Sequence, residues 1–270
     1  MAHLFQVGVG SGGMVVLDLL MRDPRIDRVT LVDPDRYEEH NAVRHLFPPT
    51  AAGRLKVDLA AEWISQFRPD ITVDLIPAAL ESAEHRDQIE RAVAASDFGI
   101  CAVDVESAKF AFDALMRQYS KPWTLGEVLS GGIGGWVHLF RPQEACYGCV
   151  ASHLQREVRT DRSPAPDYSD PQAALPTARI PASKASIGVI ASLHAQLTLS
   201  LLEGIDPGFS SILLPLARVE NVFPEAFKPF RFCITRLPEC LICGSAVSTA
   251  PAGEDLDVAL DSALARLGHE

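Results

Sequence analysis

The strongest constraint on this chain is a glycine-rich turn near its N-terminus, between a short apolar strand and a helix. Residues 4–7 predict the strand, and residues 14–21 predict the helix. The turn between them has the pattern Gly8-x-Gly10-x-x-Gly13. The first glycine allows a tight bend, the second leaves room for a phosphate beside the backbone, and the third lets helix and strand pack closely. The free N–H groups and the positive dipole end of the helix would then face an anion.

The next predicted strand, residues 29–32, ends in an acidic residue. Asp33 follows the last glycine of the turn by about twenty residues, the position from which a carboxylate accepts hydrogen bonds from a ribose. Strand, turn, helix and acid together predict a nucleotide-binding site. The alternative is a glycine-rich turn that only connects a strand to a helix.

Composition and charge exclude several classes of protein. The net charge of −11 argues against nucleic acid as the main partner, because neutralising phosphates requires a basic surface. By sequence, no apolar run approaches the roughly 18–20 residues that span a bilayer, and no secretory signal is expected. Six cysteines, four of them in two CxxC pairs, suit a reducing compartment. We therefore expect a cytoplasmic protein with no membrane partner.

Strand and helix patterns alternate through the first half of the chain. Helices are predicted at residues 55–67, 84–94 and 108–119, and strands at residues 71–76, 98–103 and 123–125. This alternation predicts a Rossmann-like α/β fold with a mainly parallel sheet and helices on both faces.

The second half has a different pattern. Residues 131–135 predict a second glycine-rich turn, residues 187–202 a long apolar helix, and residues 136–140, 211–219 and 231–235 strands that continue the sheet in antiparallel order. Residues 155–183 are rich in proline and have no predicted structure, which is typical of a functional or disordered loop. Residues 247–253 predict a linker, and residues 256–267 a short amphipathic helix.

The two CxxC pairs predict a metal site. Cys146-Tyr-Gly-Cys149 and Cys240-Leu-Ile-Cys243 each place two thiolates on one tight turn, and two such turns supply the four sulfurs that structural zinc prefers. About ninety residues separate the pairs, so the fold must bring them together. A redox-active dithiol is the alternative. Because both pairs lie outside the nucleotide half, we expect the metal to stabilise the C-terminal part rather than to catalyse.

Polar and charged residues follow the second strand at a spacing that suits phosphate chemistry: Asp33-Pro-Asp35, Asn41-x-x-Arg44, Lys56 and Asp104. Donors and positive charges at Asn41, Arg44 and Lys56 would stabilise a pentavalent α-phosphate and a departing pyrophosphate. Asp104 follows a predicted parallel strand, where an open α/β sheet binds its ligand, and a carboxylate among phosphates suggests Mg²⁺. Singly, Arg44 and Lys56 are also compatible with solvated helix charges, and Asp104 with a helix N-cap.

With these motifs in order, the chain resembles the ThiF/MoeB/HesA adenylyltransferases of the ubiquitin-activating-enzyme superfamily. The likeness covers about residues 4–244 and includes the CxxC pairs, the run Lys56-Val57-Asp58 and residues 188–193. It implies one adenylation domain at residues 1–244, with a nucleotide-binding half at 4–126 and a half with a crossover loop and a zinc clasp at 127–244. Residues 245–270 would be the linker and short helix.

The resemblance implies ATP-dependent adenylation of a C-terminal carboxylate, most closely that of a small ubiquitin-like or sulfur-carrier protein ending in Gly-Gly. Acyl-AMP and pyrophosphate would be the products, and the enzyme would be a homodimer. The implied catalytic residues are Asp104, Lys56 and Arg44, with Asp104 orienting Mg²⁺. The implied nucleotide-binding set is Gly8, Gly10, Gly13, Asp33, Asp35, Asn41, Arg44, Lys56 and Asp104, and the implied Zn²⁺ ligands are Cys146, Cys149, Cys240 and Cys243.

The chain departs from the family pattern in its cysteines and at its N-terminal end. Members that form a thioester or persulfide carry a cysteine in the crossover loop, but residues 151–187 contain none. Cys101 and Cys233 are expected to be buried in strands, so we expect the acyl-adenylate to pass to a thiol or amine on another molecule. Bacterial members also usually have N-terminal helices that send an arginine into the partner subunit's site, and this chain starts at the first strand.

Three alternatives remain open at this point. An NAD-dependent dehydrogenase would use the glycine-rich turn but leave Arg44, Lys56 and the cysteines unexplained. A non-catalytic scaffold of the same fold would pair with an active partner. Within the adenylation hypothesis, the substrate carboxylate could instead belong to a peptide, a small molecule or a tRNA-linked group.

Overall fold

The computed structural model describes residues 1–154 and 182–244. Most of the predicted loop at residues 155–183 therefore lies outside the described residues, as do the predicted C-terminal linker and helix. The described helices are α1 (Ser11–Leu20), α2 (Lys56–Ser65), α3 (Arg86–Ala95), α4 (Glu106–Gln118), α5 (Tyr147–His153) and α6 (Lys184–Leu202). Short 3₁₀ helices span Glu39–Val43, Pro49–Ala51 and Ser130–Gly132.

The described strands form one sheet. They are β1 (Ala2–Val7), β2 (Ile26–Val32), β3 (Thr72–Ile76), β4 (Phe98–Cys101), β5 (Trp123–Val128), β6 (Gly134–Phe140), β7 (Ser211–Pro215) and β8 (Phe230–Phe232). Their order is β3-β2-β1-β4-β5-β6-β7-β8. The first five strands run parallel, and β6, β7 and β8 add in antiparallel order. The prediction of a mainly parallel sheet continued by antiparallel strands is confirmed.

The register aligns the carboxyl ends of the parallel strands. Val7 at the end of β1 pairs with Val32 of β2 and with Cys101 of β4, and Cys101 pairs with Leu125 of β5. The segments that follow these strands therefore start at one edge of the sheet. That edge carries the glycine-rich turn, Asp33 and Asp104.

Apolar side chains cover both faces of the sheet, as expected for parallel strands packed between helices. Leu4 belongs to a core shared with α1, α2 and α6, whereas the adjacent Phe5 belongs to a core shared with α3, α4 and α5. Both side chains are fully buried, which stabilises the fold by about 1.5–3 kcal/mol each. On the second face, Trp123 stacks on Phe140 with ring centroids 3.9 Å apart. Helices on both faces, as predicted, thus fix the sheet from either side.

The three glycines of the turn differ in their surroundings, and those of Gly8 and Gly13 agree with the close packing that their spacing predicts. Gly8 has a φ of +92°, and a Cβ there would lie 2.5 Å from the Ala102 carbonyl oxygen. A Cβ on Gly13 would overlap the Gly8 carbonyl oxygen, because helix and strand meet there. A Cβ on Gly10 would meet nothing within 4 Å, so this position leaves space beside the backbone.

The prediction that no apolar run approaches membrane-spanning length is wrong for helix α6. It has 19 residues with a mean hydropathy of 1.5, which is long and apolar enough to cross a bilayer by length and composition. In the fold it packs along α1 and against β5 and β6, with Ile190, Ala191, Ala195 and Leu197 buried. The same apolar surface that would suit lipid is used here in the protein core, and a sequence window does not distinguish these environments.

Other corrections concern elements that tertiary contacts define. The sequence analysis did not predict α5, which begins directly after Cys146. Gly134 and Gly135, assigned to a turn, belong to β6, where a Cβ on Gly134 would lie 2.8 Å from the Leu214 carbonyl oxygen of the neighbouring strand. These two glycines serve close strand packing rather than a bend.

Candidate functional site

The glycine-rich turn presents backbone donors at the carboxyl edge of the sheet. The Gly8 N–H donates to the Val32 carbonyl at 2.9 Å, and the Met14 N–H donates to the Gly10 carbonyl at 2.9 Å. Among the described residues, the N–H groups of positions 10–13 donate no hydrogen bond. Because these groups lead into the first turn of α1, they form the kind of anion site found at helix N-termini.

A buried glutamine, which the sequence analysis missed, holds the two ends of this turn together. Gln6 is fully buried in β1, and its Nε2 donates to the carbonyl oxygens of Gly8 at 3.0 Å and Gly13 at 2.9 Å. A polar side chain inside an otherwise apolar strand was the available signal. Gln6 thus stabilises the shape of the turn without reaching its outer surface.

Asp33 lies beneath the turn rather than at its rim. Its side chain is buried, and its Oδ2 accepts from the Val9 N–H at 2.6 Å while its Oδ1 accepts from the Asp35 N–H at 2.9 Å. Burial raises the pKa of Asp33, and Lys56 and the two N–H donors oppose that rise. Asp33 therefore fixes the turn to the end of β2. Its assignment to the ribose stays a prediction.

Lys56 is held by Asp35 at the start of α2. Its side chain is only 11% exposed, and Nζ lies 2.6 Å from the Asp35 Oδ2, whereas Asp35 is 59% exposed. The interpretation of Lys56 as a solvated helix charge is therefore wrong. The structure places a largely desolvated ammonium beside Asp33 and Asp35, near the turn that is predicted to bind phosphates.

Asn41 lies in the 3₁₀ helix Glu39–Val43, which precedes Arg44. Asn41 is buried, and its Oδ1 accepts from the Glu38 N–H at 3.0 Å, which caps the 3₁₀ helix. Arg44 directly follows that helix and is half-buried. Asn41 thus shapes the backbone that carries Arg44, a role additional to the predicted phosphate contact.

Asp104 occupies the loop between β4 and α4, and its side chain is exposed. It does not cap α4, because Val105 occupies the N-cap position and no side chain accepts a capping hydrogen bond there. The chain that leads to Asp104 passes under the turn, where the Ala102 carbonyl faces Gly8. The N-cap interpretation is therefore wrong, and Asp104 lies at the same sheet edge as the glycine-rich turn.

A buried ionic cluster that the sequence analysis missed lies next to Asp104. Lys109 of α4 is 4% exposed, and its Nζ donates to Glu106 at 2.7 Å and to Glu127 at 2.5 Å. Burial acts to lower the pKa of Lys109, but the two carboxylates outweigh it and raise the pKa. The hydroxyl of Tyr147 donates to Glu106 at 2.6 Å. The cluster thus connects the start of α4 to the cysteine region.

His45 is a further residue that the sequence analysis missed. It is 2% exposed, and its Nδ1 accepts from the Leu46 N–H at 3.0 Å. Its Nε2 therefore carries the proton and donates to the Val9 carbonyl, which lies 3.1 Å away. The ring stacks on Phe47 at 5.0 Å and meets the edge of Tyr37 at 5.1 Å. Val9 is thus held at its N–H by Asp33 and at its carbonyl by His45.

The charge state of His45 follows from its surroundings. Burial lowers its pKa to about 4, the hydrogen bond to Val9 opposes that change, and nearby Lys56, Lys184 and Arg44 reinforce it. The Lys184 Nζ donates to the His45 carbonyl at 2.9 Å, which ties the start of α6 to the same loop. His45 is thus neutral at pH 7 and lies where the turn, the Arg44 loop and α6 meet.

The four cysteines of the CxxC pairs come together, as predicted. Their sulfur atoms all lie within 4.8 Å of one another, and the four side chains are buried. The Sγ–Sγ distances are 3.8 Å for Cys146–Cys149, 3.5 Å for Cys146–Cys240 and 3.4 Å for Cys149–Cys243. A tetrahedral Zn²⁺ with bonds of about 2.3 Å needs sulfurs about 3.8 Å apart, so this donor set fits that ion.

The remaining two cysteines differ in exposure. Cys101 is fully buried in β4, as predicted, and burial raises its pKa to about 12. Cys233 is exposed, and the prediction of a buried thiol there is wrong. Strand β8 ends at Phe232, so Cys233 lies just outside the sheet, where its Sγ contacts the Gly208 carbonyl at 3.4 Å.

Comparison with known proteins agrees with this architecture. The ThiF family matches residues 2–239 of the chain. Ubiquitin-like modifier-activating enzyme 5 of Drosophila grimshawi is 28% identical over 246 residues, which cover 87% of this chain and 58% of that protein. The protein of the same name from Rattus norvegicus is 26% identical over 242 residues, covering 84% and 56%. The chain thus spans less than two thirds of the length of these relatives.

Solved structures show the same fold. E. coli MccB with ATP has a TM-score of 0.66 and 16% identity, covering 90% of this chain and 67% of that one. E. coli MccB without a named ligand has a TM-score of 0.69 and 15% identity, covering 94% and 67%. PaaA has a TM-score of 0.61 and 17% identity, covering 88% and 65%. At these identities the likeness concerns the fold alone.

The buried neutral state of His45 predicts a pH-dependent stability. Because its pKa is lower in the folded protein than the ordinary 6.5, the unfolded chain binds more protons below about pH 6.5. Stability should be complete above that pH and decline as the pH falls toward about 4. Urea titrations at pH 7.5 and 5.0 measure the change in the free energy of unfolding. That free energy should fall by on the order of 1–2 kcal/mol more in wild type than in His45→Gln.

The matched control for this measurement is His153→Gln, because His153 is an exposed histidine on α5. It should retain the wild-type pH dependence of stability. Equal pH dependence in His45→Gln and wild type would contradict the assignment of His45 as a buried neutral group.

Proposed function

Because the chain belongs to the ThiF family, we propose that it catalyses ATP-dependent adenylation of the C-terminal carboxylate of a small protein. The supporting observation is that a turn whose N–H groups at positions 10–13 make no hydrogen bond within the described part of the chain shares one sheet edge with Lys56, Arg44 and Asp104. A carboxylate oxygen of the substrate would attack the α-phosphorus of ATP, and pyrophosphate would leave. The products are acyl-AMP and pyrophosphate, so the protein supplies positioning and charge rather than a nucleophile.

In our proposal, the residues at this edge have separate roles. The N–H groups after Gly8 bind phosphate oxygens, and Asp33, with Asp35, lies on the ribose side. Lys56 and Arg44 offset the negative charge that develops on the α-phosphate and the leaving pyrophosphate. Asp104, exposed and not engaged in capping α4, is the residue that would hold Mg²⁺, which supplies further positive charge to the phosphates.

The substrate that we favour is a small ubiquitin-like or sulfur-carrier protein ending in Gly-Gly. The curated relatives bear the name of ubiquitin-like modifier-activating enzymes, which supports this choice. A peptide substrate is the second candidate, since solved structures of similar fold include MccB in complex with MccA. We propose that residues 1–244 form one adenylation domain, with the division at 126 and 127 given above, and that the enzyme is a cytoplasmic homodimer.

The acyl-adenylate would then pass to a thiol or amine acceptor on another molecule. Residues 151–187 contain no cysteine, and Cys101 is too buried and too weakly acidic to act as a nucleophile. Cys233 lies beyond the far edge strand β8, away from the glycine-rich turn that follows β1. In the transfer, the acceptor's sulfur or nitrogen would attack the acyl carbon, and AMP would leave.

We further propose that Cys146, Cys149, Cys240 and Cys243 hold a structural Zn²⁺. The sulfur spacing and burial support this role, and the site joins the start of α5 to the segment after β8. Taking four close thiolates out of water without a cation would be costly, which argues for a bound metal rather than an open dithiol.

The first prediction concerns Asp104 and uses ATP–pyrophosphate exchange in the presence of substrate. Asp104→Ala should abolish exchange while the unfolding transition stays at the wild-type temperature, because Asp104 is exposed and makes no helix cap. Asp87→Ala, an exposed acid in the first turn of α3, is the matched control and should exchange normally. Exchange above about a tenth of the wild-type rate, a barrier change below roughly 1.4 kcal/mol, would refute the role of Asp104.

Lys56→Ala should impair the same reaction, with a larger loss in turnover than in ATP affinity. The reason is that Lys56 would stabilise charge that develops on the departing pyrophosphate, and such interactions act mainly in the transition state. Steady-state exchange kinetics at varied ATP measure both quantities. A rise in KM for ATP with unchanged kcat would instead place Lys56 in ground-state binding.

The zinc proposal predicts one Zn²⁺ per chain in protein purified without chelator. Elemental analysis should find it, and Cys146→Ser should release it and lower the unfolding temperature. Cys233→Ser is the matched control, because Cys233 is exposed and outside the cluster, and it should keep the metal. A stable, folded wild-type protein without zinc would contradict the proposal.

The last prediction of this section concerns covalent intermediates. Enzyme, MgATP and the cognate carboxylate protein should give no thiol-sensitive enzyme–substrate band on a non-reducing gel. The reason is that neither Cys101 nor the cysteine-free segment 151–187 offers a reactive thiol. A band that disappears in Cys233→Ser would make the exposed Cys233 the nucleophile and overturn the proposed transfer to another molecule.

A further inference from the structure

A cavity with a polar lining lies at the sheet edge opposite to the glycine-rich turn. Its volume is about 140 Å³, and it lies beside Trp123, the first residue of β5, and Phe140, the last residue of β6. The turn, by contrast, follows the last residue of β1. The cavity shares no residue with the proposed nucleotide site, so an inference about it does not rest on the proposed function.

Asp113 of α4 lines this cavity, and one of its carboxylate oxygens is unsatisfied among the described residues. The residue is 1% exposed, and its Oδ1 accepts from the Tyr147 N–H at 3.1 Å. Its Oδ2 is buried and has no hydrogen-bond partner among the described residues. A buried acceptor without a partner is unfavourable, so this oxygen calls for a donor that the described protein does not provide.

Four cationic side chains line the same cavity: Arg117, Lys121, Arg141 and Arg236. Three of them already have partners. Lys121 donates to two backbone carbonyls, Arg141 pairs with Asp206 at 2.9 Å, and Arg236 donates to the Cys243 carbonyl at 2.6 Å. Their charges nevertheless make the cavity favourable for an anion.

Arg117 is the fourth of these cations. It follows Asp113 by one turn of α4 and is half-buried, and within the described part of the chain its guanidinium makes no hydrogen bond or ion pair. The residues that line the cavity therefore include a guanidinium at Arg117 and a carboxylate oxygen at Asp113 that make no hydrogen bond within the described part of the chain. An anion lacking a donor would satisfy the first group but would place its oxygens against the second.

We propose that this cavity binds a small anion that carries its own hydrogen-bond donor. Anionic oxygens of the ligand accept from Arg117, and the ligand's O–H or N–H donates to the Asp113 Oδ2. Monohydrogen phosphate is the simplest such ligand, and an amino acid or a peptide C-terminus offers the same chemistry through its carboxylate and N–H. Binding of this anion would also affect the cysteine cluster, because Asp113 accepts a hydrogen bond from the backbone N–H of Tyr147, the residue after Cys146.

The test is an NMR titration of the ¹⁵N-labelled full-length chain in zwitterionic buffer at pH 7.5, followed at the Arg117 Nε–H and the Trp123 indole N–H. Phosphate is compared with sulfate, which has no donor at this pH, and glycine is compared with acetate. At least one donor-bearing ligand should give saturable shifts and bind about fivefold or more tighter than its donor-free counterpart. A response to glycine but not to phosphate would identify an amino acid or peptide terminus as the source.

Two variants separate the contributions of the two groups. Asp113→Asn keeps an acceptor for the Tyr147 N–H but replaces the free oxygen with an amide donor, so the preference for phosphate over sulfate should vanish or reverse. Arg117→Gln should weaken the preferred ligand about tenfold, as expected for the loss of a charge-assisted hydrogen bond. Arg91→Gln, an exposed arginine of α3, is the matched control and should bind as wild type does.

The unfolding temperature and zinc content of each variant establish that it is folded. If Asp113→Asn does not fold, Arg117→Gln and the four wild-type titrations still decide the question. The proposal is overturned if none of the four ligands gives saturable shifts. It is equally overturned if phosphate and sulfate bind alike and glycine and acetate bind alike, or if Arg117→Gln leaves the preferred ligand's affinity unchanged.

Discussion

The backbone of Val9 is held at both its N–H and its carbonyl group, and the geometry of the glycine-rich turn depends on this arrangement. Asp33 accepts from its N–H, and His45 donates to its carbonyl. Glycines lose more conformational freedom on folding than other residues, so a turn built from them needs outside support to keep one shape. Gln6 supplies the rest of that support by bonding to the carbonyls at both ends of the turn. Three buried polar side chains thus support the shape of the turn.

Two lysine side chains near this sheet edge are paired with carboxylates. Lys56 and Lys109 are both buried, and each is paired with carboxylates at 2.5–2.7 Å. A buried ammonium without a partner would be costly, and a single carboxylate or a pair of them offsets that cost. The two lysines differ in surroundings, because the partner of Lys56 is largely exposed whereas Glu127, one partner of Lys109, is only 11% exposed. The Lys56–Asp35 pair is therefore open to solvent on its carboxylate side, whereas the Lys109–Glu127 pair is enclosed.

The contacts of Lys109 make the two halves of the chain interdependent. Lys109 binds Glu106, which accepts from the Tyr147 hydroxyl, and Tyr147 follows the first cysteine of the cluster. Helix α4 thus contacts the region of Asp104 at its start and the cysteine region along its length. The antiparallel strands β6 to β8 extend the same sheet and carry the chain to the second CxxC pair. The cysteine cluster therefore joins elements that the sheet has already brought close.

The sequence by itself determined the turn, the order of strands and helices in the first half, and the four cysteines, because these depend on local spacing and periodicity. It did not determine the surroundings of each side chain. Cys233 was predicted to be a buried strand residue, but β8 ends one position earlier. The apolar helix was predicted to be shorter than a membrane span, but α6 has 19 residues. Gln6 and His45 became functional candidates only through contacts with the turn. Tertiary structure decided these points, since hydrogen bonds between distant residues and burial of charge depend on which strands become neighbours.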